Sequence, residues 1–264
     1  MIRLVALDLD GTLISSTLQV SERVKATISR ARELGIVFTL VTGRMFAAAR
    51  PFASAVGIDG PIVCYQGAAI YVVPSGERLA HHPVSGEVTE RVFRVAGNDG
   101  VRPLGYFEDK LYTEADDKYT REYVELARVE PHVVPSLIEF FKARPSTKLN
   151  CVTDIEKADA YVTRLQDLLG DTGYVTRSQP QFVEVLNTGV DKGRALSVVA
   201  RYYDASVKET MAIGDSWNDV PLLAAAGKAV AMGTAPPELL ERADAVVAGV
   251  DGDGVAEALE RFVL

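Results

Sequence analysis

The stretch "LVALDLDGTL", residues 4–13, runs an apolar, strand-like segment into two acids two positions apart and a glycine. In extended backbone, side chains two apart point the same way, about 6 to 7 Å from each other. Asp8 and Asp10 thus address one spot at the carboxyl end of a strand, the place where open α/β sheets bind ligands. Gly11 permits a sharp turn, and Thr12 has the chemistry to cap the next segment. Taken alone, "DLDG" is equally an Asp-rich turn, so the rest of the chain must decide.

Working outward, residues 21–34 show helical apolar spacing between a Ser cap and a terminal Gly, "IVFTLVTGR" reads as a strand ending in a turn, 45–56 as a helix, and "GPIVCYQGAAI" as a third strand. The C-terminal part repeats the rhythm: helix 191–203, strand "TMAIGD", helix 218–226, strand "KAVAM", helix 236–242, strand "AVVA", helix 254–262. Near-continuous apolar strands alternating with helices imply a parallel sheet buried on both faces. The pattern predicts an α/β fold with a Rossmann-like parallel-sheet core built from 1–82 and 189–264.

Residues 83–188 read differently. They hold a helix over 86–97, a hairpin turning at Glu108 to Lys110, a helix over 116–128, the strand "STKLNCVT", a helix over 156–169, and strands near 174–177 and 182–186. This is a second, smaller α/β domain inserted into the first, entered near Pro83 and left near Gly189.

With 48% hydrophobic and 24% charged residues, the 264-residue chain can bury a full core. Its 36 acidic residues against 28 basic ones give a net charge of −8, which argues against nonspecific nucleic-acid binding. Cys64 and Cys151 lie far apart in strand-like runs without metal spacing, as reduced packing residues do. No signal-peptide pattern and no bilayer-length apolar stretch is present, so the expectation is a cytoplasmic protein with no membrane partner.

Three further strand or helix ends carry chemistry. Thr42 offers a hydroxyl for an anion beside the Gly43 backbone N–H and Arg44. Asp215 and Asp219 in "AIGDSWNDVPLL" share a face if a helix begins near Ser216. Lys192 in "TGVDKGRAL" opens a helix. Each is ordinary alone, but converging acids raise each other's pKa unless a cation compensates, and an oxygen-rich site suits Mg²⁺.

"DLDGTL", "VTGR", "DKG" and "GDSWND", in this order, resemble the four motifs of the haloacid dehalogenase superfamily, and the insertion resembles the α/β cap of its Cof-type sugar-phosphate phosphatase branch. The resemblance implies that Asp8 is the nucleophile, forming an aspartyl-phosphate, and that Asp10 protonates the leaving oxygen and then activates water. It implies Mg²⁺ held by Asp8, the backbone carbonyl of Asp10 and Asp215, with Asp219 supporting. Thr42, Lys192 and Asn218 would hold phosphoryl oxygens, helped by Gly43 and Arg44. The substrate would be a small phosphorylated metabolite, a sugar phosphate first. The alternatives are a dedicated mannosyl-3-phosphoglycerate or phosphoglycolate phosphatase, a phosphomutase, and a non-catalytic Mg²⁺- and phosphate-binding protein. The acid at position 10 sets the chain apart from dehalogenases, since halide needs no protonation.

Two positions depart from the family pattern: Gln66 stands where many relatives carry Asn, and Thr234 where they often carry Asn. The cap would read the leaving group, with Arg144, Lys148, Glu184 and Asn187 as candidate contacts that surface or hinge packing explains equally. His81, His82 and His132 read as hinge or surface residues, and Trp217 as packing.

Overall fold

The computed structural model describes residues 1–264. It divides into two compact units, Met1–Gly43 with Ala49–Ala80 and Asp191–Leu264, and Arg44–Ala48 with His81–Val190.

The first unit is built on a five-stranded parallel sheet in the order Ala245–Val247, Lys228–Met232, Thr210–Gly214, Leu4–Leu7, Val37–Leu40. Every residue of Leu4–Leu7 is buried, which is why the sequence shows an unbroken apolar run there and no alternation. Leu4 pairs with Thr210 on one side and Val37 on the other. The chain thus leaves the Leu4–Leu7 strand in one direction early and returns on its opposite side two hundred residues later. That reversal makes a switch point between Leu4–Leu7 and Thr210–Gly214, and the carboxyl ends of these two strands carry Asp8 and Asp215.

Helices cover the sheet where the apolar spacing predicts. Glu22–Glu33 is capped by the Ser21 hydroxyl, which accepts from the Val24 N–H, and buries Val24, Ile28 and Ala31. Lys192–Tyr202 is capped by Asp191 and buries Ala195, Leu196 and Val199.

"GPIVCYQGAAI" departs from expectation. It is two strands, Pro61–Cys64 and Ala69–Val72, paired antiparallel and joined by Arg78–His81 into a separate three-stranded sheet. Tyr65, Gln66 and Gly67 all have positive φ (51, 59 and 106°), and this left-handed bend reverses the chain. Only a single parallel bridge, Val41 to Val63, links this sheet to the five-stranded one.

The second unit is a six-stranded sheet in the order Gly173–Gln179, Phe182–Asn187, Leu149–Val152, Arg102–Phe107, Lys110–Thr113, Pro131–Val133, antiparallel except for the last pair. Glu108 and Asp109 make the hairpin turn with positive φ. Helices Gly86–Asp99, Leu137–Phe141 and Ile155–Leu169 share one core with the sheet, through Val88, Val92, Phe93, Leu149, Leu165 and Val185. Pro131–Val133 and Leu137–Phe141 were not legible in the sequence, being too short to show a period.

Both cysteines are buried thiols. Burial pushes the Cys151 thiol up to about 12, as a packing role requires. No helix is long and apolar enough to cross a membrane.

Gly193 lets the Lys192–Tyr202 helix approach Val220–Ala225 closely: a Cβ there would lie 2.2 Å from the Pro221 carbonyl oxygen and 3.1 Å from the Ala225 Cβ. Gly193→Ala should gain about 1 kcal/mol in helix propensity and lose about 1–3 kcal/mol to overpacking against backbone. Net destabilisation in urea unfolding is the expected result; a stabilised variant would show that the two helices part without penalty.

Candidate active site

Asp8 follows the last residue of its strand and continues the ladder for one step, its N–H donating to the Ile213 carbonyl at 3.0 Å. Beyond it the chain closes a tight loop, with Leu13 and Ile14 both donating to the Leu9 carbonyl at 2.9 Å and Gly11 donating to the Ile14 carbonyl. Gly11 has φ +85°, and a Cβ there would lie 2.3 Å from Asp215 Oδ2. Only glycine lets the Asp215 carboxylate lie over this loop. Thr12 does not cap a helix: its hydroxyl donates to Asp215 Oδ1 at 2.7 Å, joining the first strand's loop to the third motif-bearing strand.

Lys192 is buried, and its ammonium donates to Asp8 Oδ1 and Asp219 Oδ1, each at 2.6 Å. Asp215 and Asp219 come together through a turn that begins at Ser216, but that turn is 3-10 and not α-helical. A 3-10 turn, Trp217–Asp219, precedes the helix Val220–Ala225, and the Asp219 carboxylate folds back so that Oδ2 accepts from the backbone N–H groups of Asp215 and Ser216 at 3.0 Å. Asp219 is therefore an anchor for the lysine and for the turn that presents Asp215.

Ligand oxygens of Asp8, Asp215 and Asp219 lie within 4.8 Å of one another. Against these three carboxylates stands one ammonium, Lys192, which leaves two negative charges uncompensated when all are ionised. Burial, and then Asp219, hold the Asp8 carboxyl well above the usual carboxylate range, with Lys192 opposing. Burial and Asp219 push Asp215 up to about 7, against the Thr12 hydrogen bond and Lys192. Burial works against the charge on Lys192, but Asp219 and Asp8 raise its pKa above the ordinary lysine value. An all-oxygen cluster short of two positive charges fits a hard divalent cation.

Thr42 is buried; its N–H donates to the Val63 carbonyl at 2.9 Å and its carbonyl accepts from Gln66 at 3.0 Å. Asn218 is buried, and its Nδ2 donates to Gln66 Oε1 at 3.1 Å. Asp10 is half-buried, and its carboxylate is not part of the three-acid cluster. Gly43 closes the first unit's segment, whereas Arg44 groups with the second unit, where its guanidinium donates to the Ala127 carbonyl at 3.3 Å.

Among the residues considered as cap contacts, Lys148 and Glu184 form a buried ion pair at 2.7 Å, joined by Ser178 at 3.0 Å. Asn187 Nδ2 donates to the Pro83 carbonyl at 2.8 Å, and the Arg144 guanidinium lies over the Phe140 ring at 4.6 Å. His81 pairs with Thr147 at 2.9 Å and His132 stacks near Tyr112. Sequence reasoning misses two contributors: Thr12, expected as a cap, and Gln66, a departure from the family pattern with no assigned role. Thr12 was visible inside "DLDGTL", but its partner lies 203 residues away.

Residues 5–259 match the family model described as haloacid dehalogenase-like hydrolase. The HMP-PP phosphatase of Cronobacter sakazakii (strain ATCC BAA-894) is 28% identical over 91% of this chain and 87% of its own length. The phosphoglycolate phosphatase of Methanothermobacter thermautotrophicus is 27% identical over 99% of each. A haloacid dehalogenase-like hydrolase from Bacteroides thetaiotaomicron superposes with a TM-score of 0.86 at 31% identity, over 99% of both chains. With its parallel core, its inserted α/β unit and its buried Asp8–Lys192–Asp219 group, the chain belongs to the haloacid dehalogenase-like hydrolases, as a phosphatase of their Cof-type branch.

Proposed function

We propose that this chain is a Mg²⁺-dependent phosphatase that hydrolyses a small sugar phosphate through an aspartyl-phosphate on Asp8. The observation that carries the reading is the buried Lys192 ammonium bridging Asp8 and Asp219 at 2.6 Å, within a carboxylate cluster that fits a divalent cation. Lys192 takes up one Asp8 oxygen and leaves the other to face phosphorus. It also offsets the repulsion between an anionic nucleophile and an anionic ester.

In the first step an Asp8 oxygen bonds to phosphorus as the ester P–O bond breaks, and Asp10 gives its proton to the leaving oxygen. In the second, the Asp10 carboxylate takes a proton from water, whose oxygen attacks phosphorus and releases Asp8 and inorganic phosphate. Asp8, the Asp10 carbonyl and Asp215 would hold Mg²⁺, which would supply positive charge for the phosphoryl oxygens. Thr42, the Gly43 N–H and Asn218 orient those oxygens.

The inserted unit, residues 83–188, reads the leaving group and excludes water. A second reading is a dedicated phosphoglycolate phosphatase, favoured by the Methanothermobacter thermautotrophicus relative that aligns over 99% of both chains. The HMP-PP phosphatase relative widens the substrates worth testing.

Phosphate release from sugar phosphates, phosphoglycolate, nucleotides and cofactor phosphates should require Mg²⁺ and favour one ester class. Release from phosphoglycolate alone would select the second reading; transfer to added sugar without free phosphate would show a mutase. Asp8→Asn should lower turnover at least about 1000-fold, as loss of a nucleophile does, without lowering the thermal midpoint, since Lys192 keeps Asp219. Retained turnover would remove Asp8 from the nucleophile role.

Proton linkage gives a test that does not depend on turnover. Without metal, folded Asp215 holds its proton to about pH 7, whereas the ordinary value for the unfolded chain is 3.8. The stability this adds is complete below 3.8 and is lost as pH rises to about 7. Mg²⁺ displaces the proton, so its addition should raise the thermal midpoint more at about pH 8 than at about pH 5. Calorimetry in buffers of different ionisation enthalpy should register proton release at the lower pH. An equal shift at both would show that the cation binds away from Asp215.

A further inference from the structure

Gln66 sits in an unfavourable backbone conformation for a residue with a side chain. It and Tyr65 have φ of 59 and 51°, followed by Gly67 at 106°. Strain of this kind persists where its surroundings fix it. Here the Gln66 N–H donates to the Thr42 carbonyl at 3.0 Å, Tyr65 is buried, and a Cβ on Gly67 would lie 2.6 Å from the Asp191 carbonyl oxygen. The bend turns the Gln66 side chain inward, where it is 1% exposed.

The carboxamide occupies a particular gap. Its Nε2 lies 2.4 Å from where a Cβ on Gly43 would be, so the missing side chain of Gly43 makes room for it. Its Oε1 accepts from Asn218 Nδ2 at 3.1 Å. Gln66 therefore spans the Thr42–Gly43 turn and the Trp217–Asp219 turn. The length of the side chain matters: an Asn at this position would fall short by one C–C bond, about 1.5 Å, and lose the contact.

Asn218 is 7% exposed, yet its Oδ1 has no hydrogen-bond partner. Buried polar atoms are nearly always paired, and an unpaired one marks a place that a ligand or water completes. Resting on the phosphatase reading above, we infer that Gln66 is a positioning residue. Its Oε1 anchors one N–H of Asn218, fixing the amide plane so that the second N–H meets a phosphoryl oxygen and Oδ1 meets the water or hydroxyl beside it.

The test is binding of inorganic phosphate to the Mg²⁺-loaded protein, by calorimetry and as product inhibition, in a double-mutant cycle. Gln66→Met keeps the length and removes the acceptor, and Gln66→Asn keeps the amide and removes the reach. Each should weaken phosphate about 10-fold, the scale of one hydrogen bond to a charged group. Asn218→Ala should weaken it by at least as much, and Gln66→Met combined with Asn218→Ala should match Asn218→Ala within about 2-fold, since one residue acts through the other. Thermal midpoints and far-UV spectra identify any variant that fails to fold, and either Gln66 substitution alone suffices for the cycle. Wild-type phosphate affinity in the folded Gln66 variants, or effects that multiply with Asn218→Ala, would overturn the inference while leaving the phosphatase intact. A wild-type protein that neither binds phosphate nor releases it from any ester would overturn both.

Discussion

A single buried ammonium organises the carboxyl end of the parallel sheet. Lys192 has no access to water and is held by two carboxylates at 2.6 Å, one after the Leu4–Leu7 strand and one at the end of the 3-10 turn beyond Thr210–Gly214. Removing the ammonium from such a group would leave its buried carboxylates uncompensated, which costs about 3–5 kcal/mol. The helix that Lys192 opens, the turn that Asp219 closes and the strand that delivers Asp8 are thereby fixed relative to each other. Asp215 inherits its place from that arrangement, through backbone N–H groups that donate to Asp219 and through the hydroxyl of Thr12.

The chain contains two deeply buried lysines, and they differ in how their charge is balanced. Lys148 pairs with Glu184, and Ser178 donates to the same oxygen. Around Lys192 the acids outnumber the base three to one. The excess of carboxylates around Lys192 makes that group an anionic socket. The difference lies in the count of carboxylates, which sets how strongly the site attracts a cation.

Much of this was legible in the sequence because parallel strands buried on both faces write themselves as apolar runs, and the acids sit where those runs end. Asp8 and Asp215 are visible in that way, Lys192 is visible at the start of a predicted helix, and the strand Lys228–Met232 and the helix Gly254–Phe262 have the bounds the pattern predicts. The hidden features have a common cause. The reversal at Tyr65 to Gly67 depends on left-handed backbone at two residues that do not advertise it, so one apolar run concealed two strands. Asp219 folds back onto its own 3-10 turn in a capping box with Ser216, while its other oxygen meets Lys192, a partner outside the turn. The roles of Thr12 and Gln66 depend on partners 203 and 152 residues away, which no local reading supplies.

The switch point in the sheet also bears on how the chain is made. Leu4–Leu7 has its partner on one side, Val37–Leu40, within the first forty residues, but its other neighbour is Thr210–Gly214. During synthesis the amino-terminal strand must wait, one edge unpaired, while the whole second unit is produced, and chains synthesised amino end first fold in units as they emerge. The second unit draws its sheet and its core from residues close in sequence and can close early. Asp8 meets Lys192 and Asp219 only after that. The carboxylate cluster therefore comes together only once the chain has passed Asp219, and a chain halted before Thr210 would display an apolar strand edge.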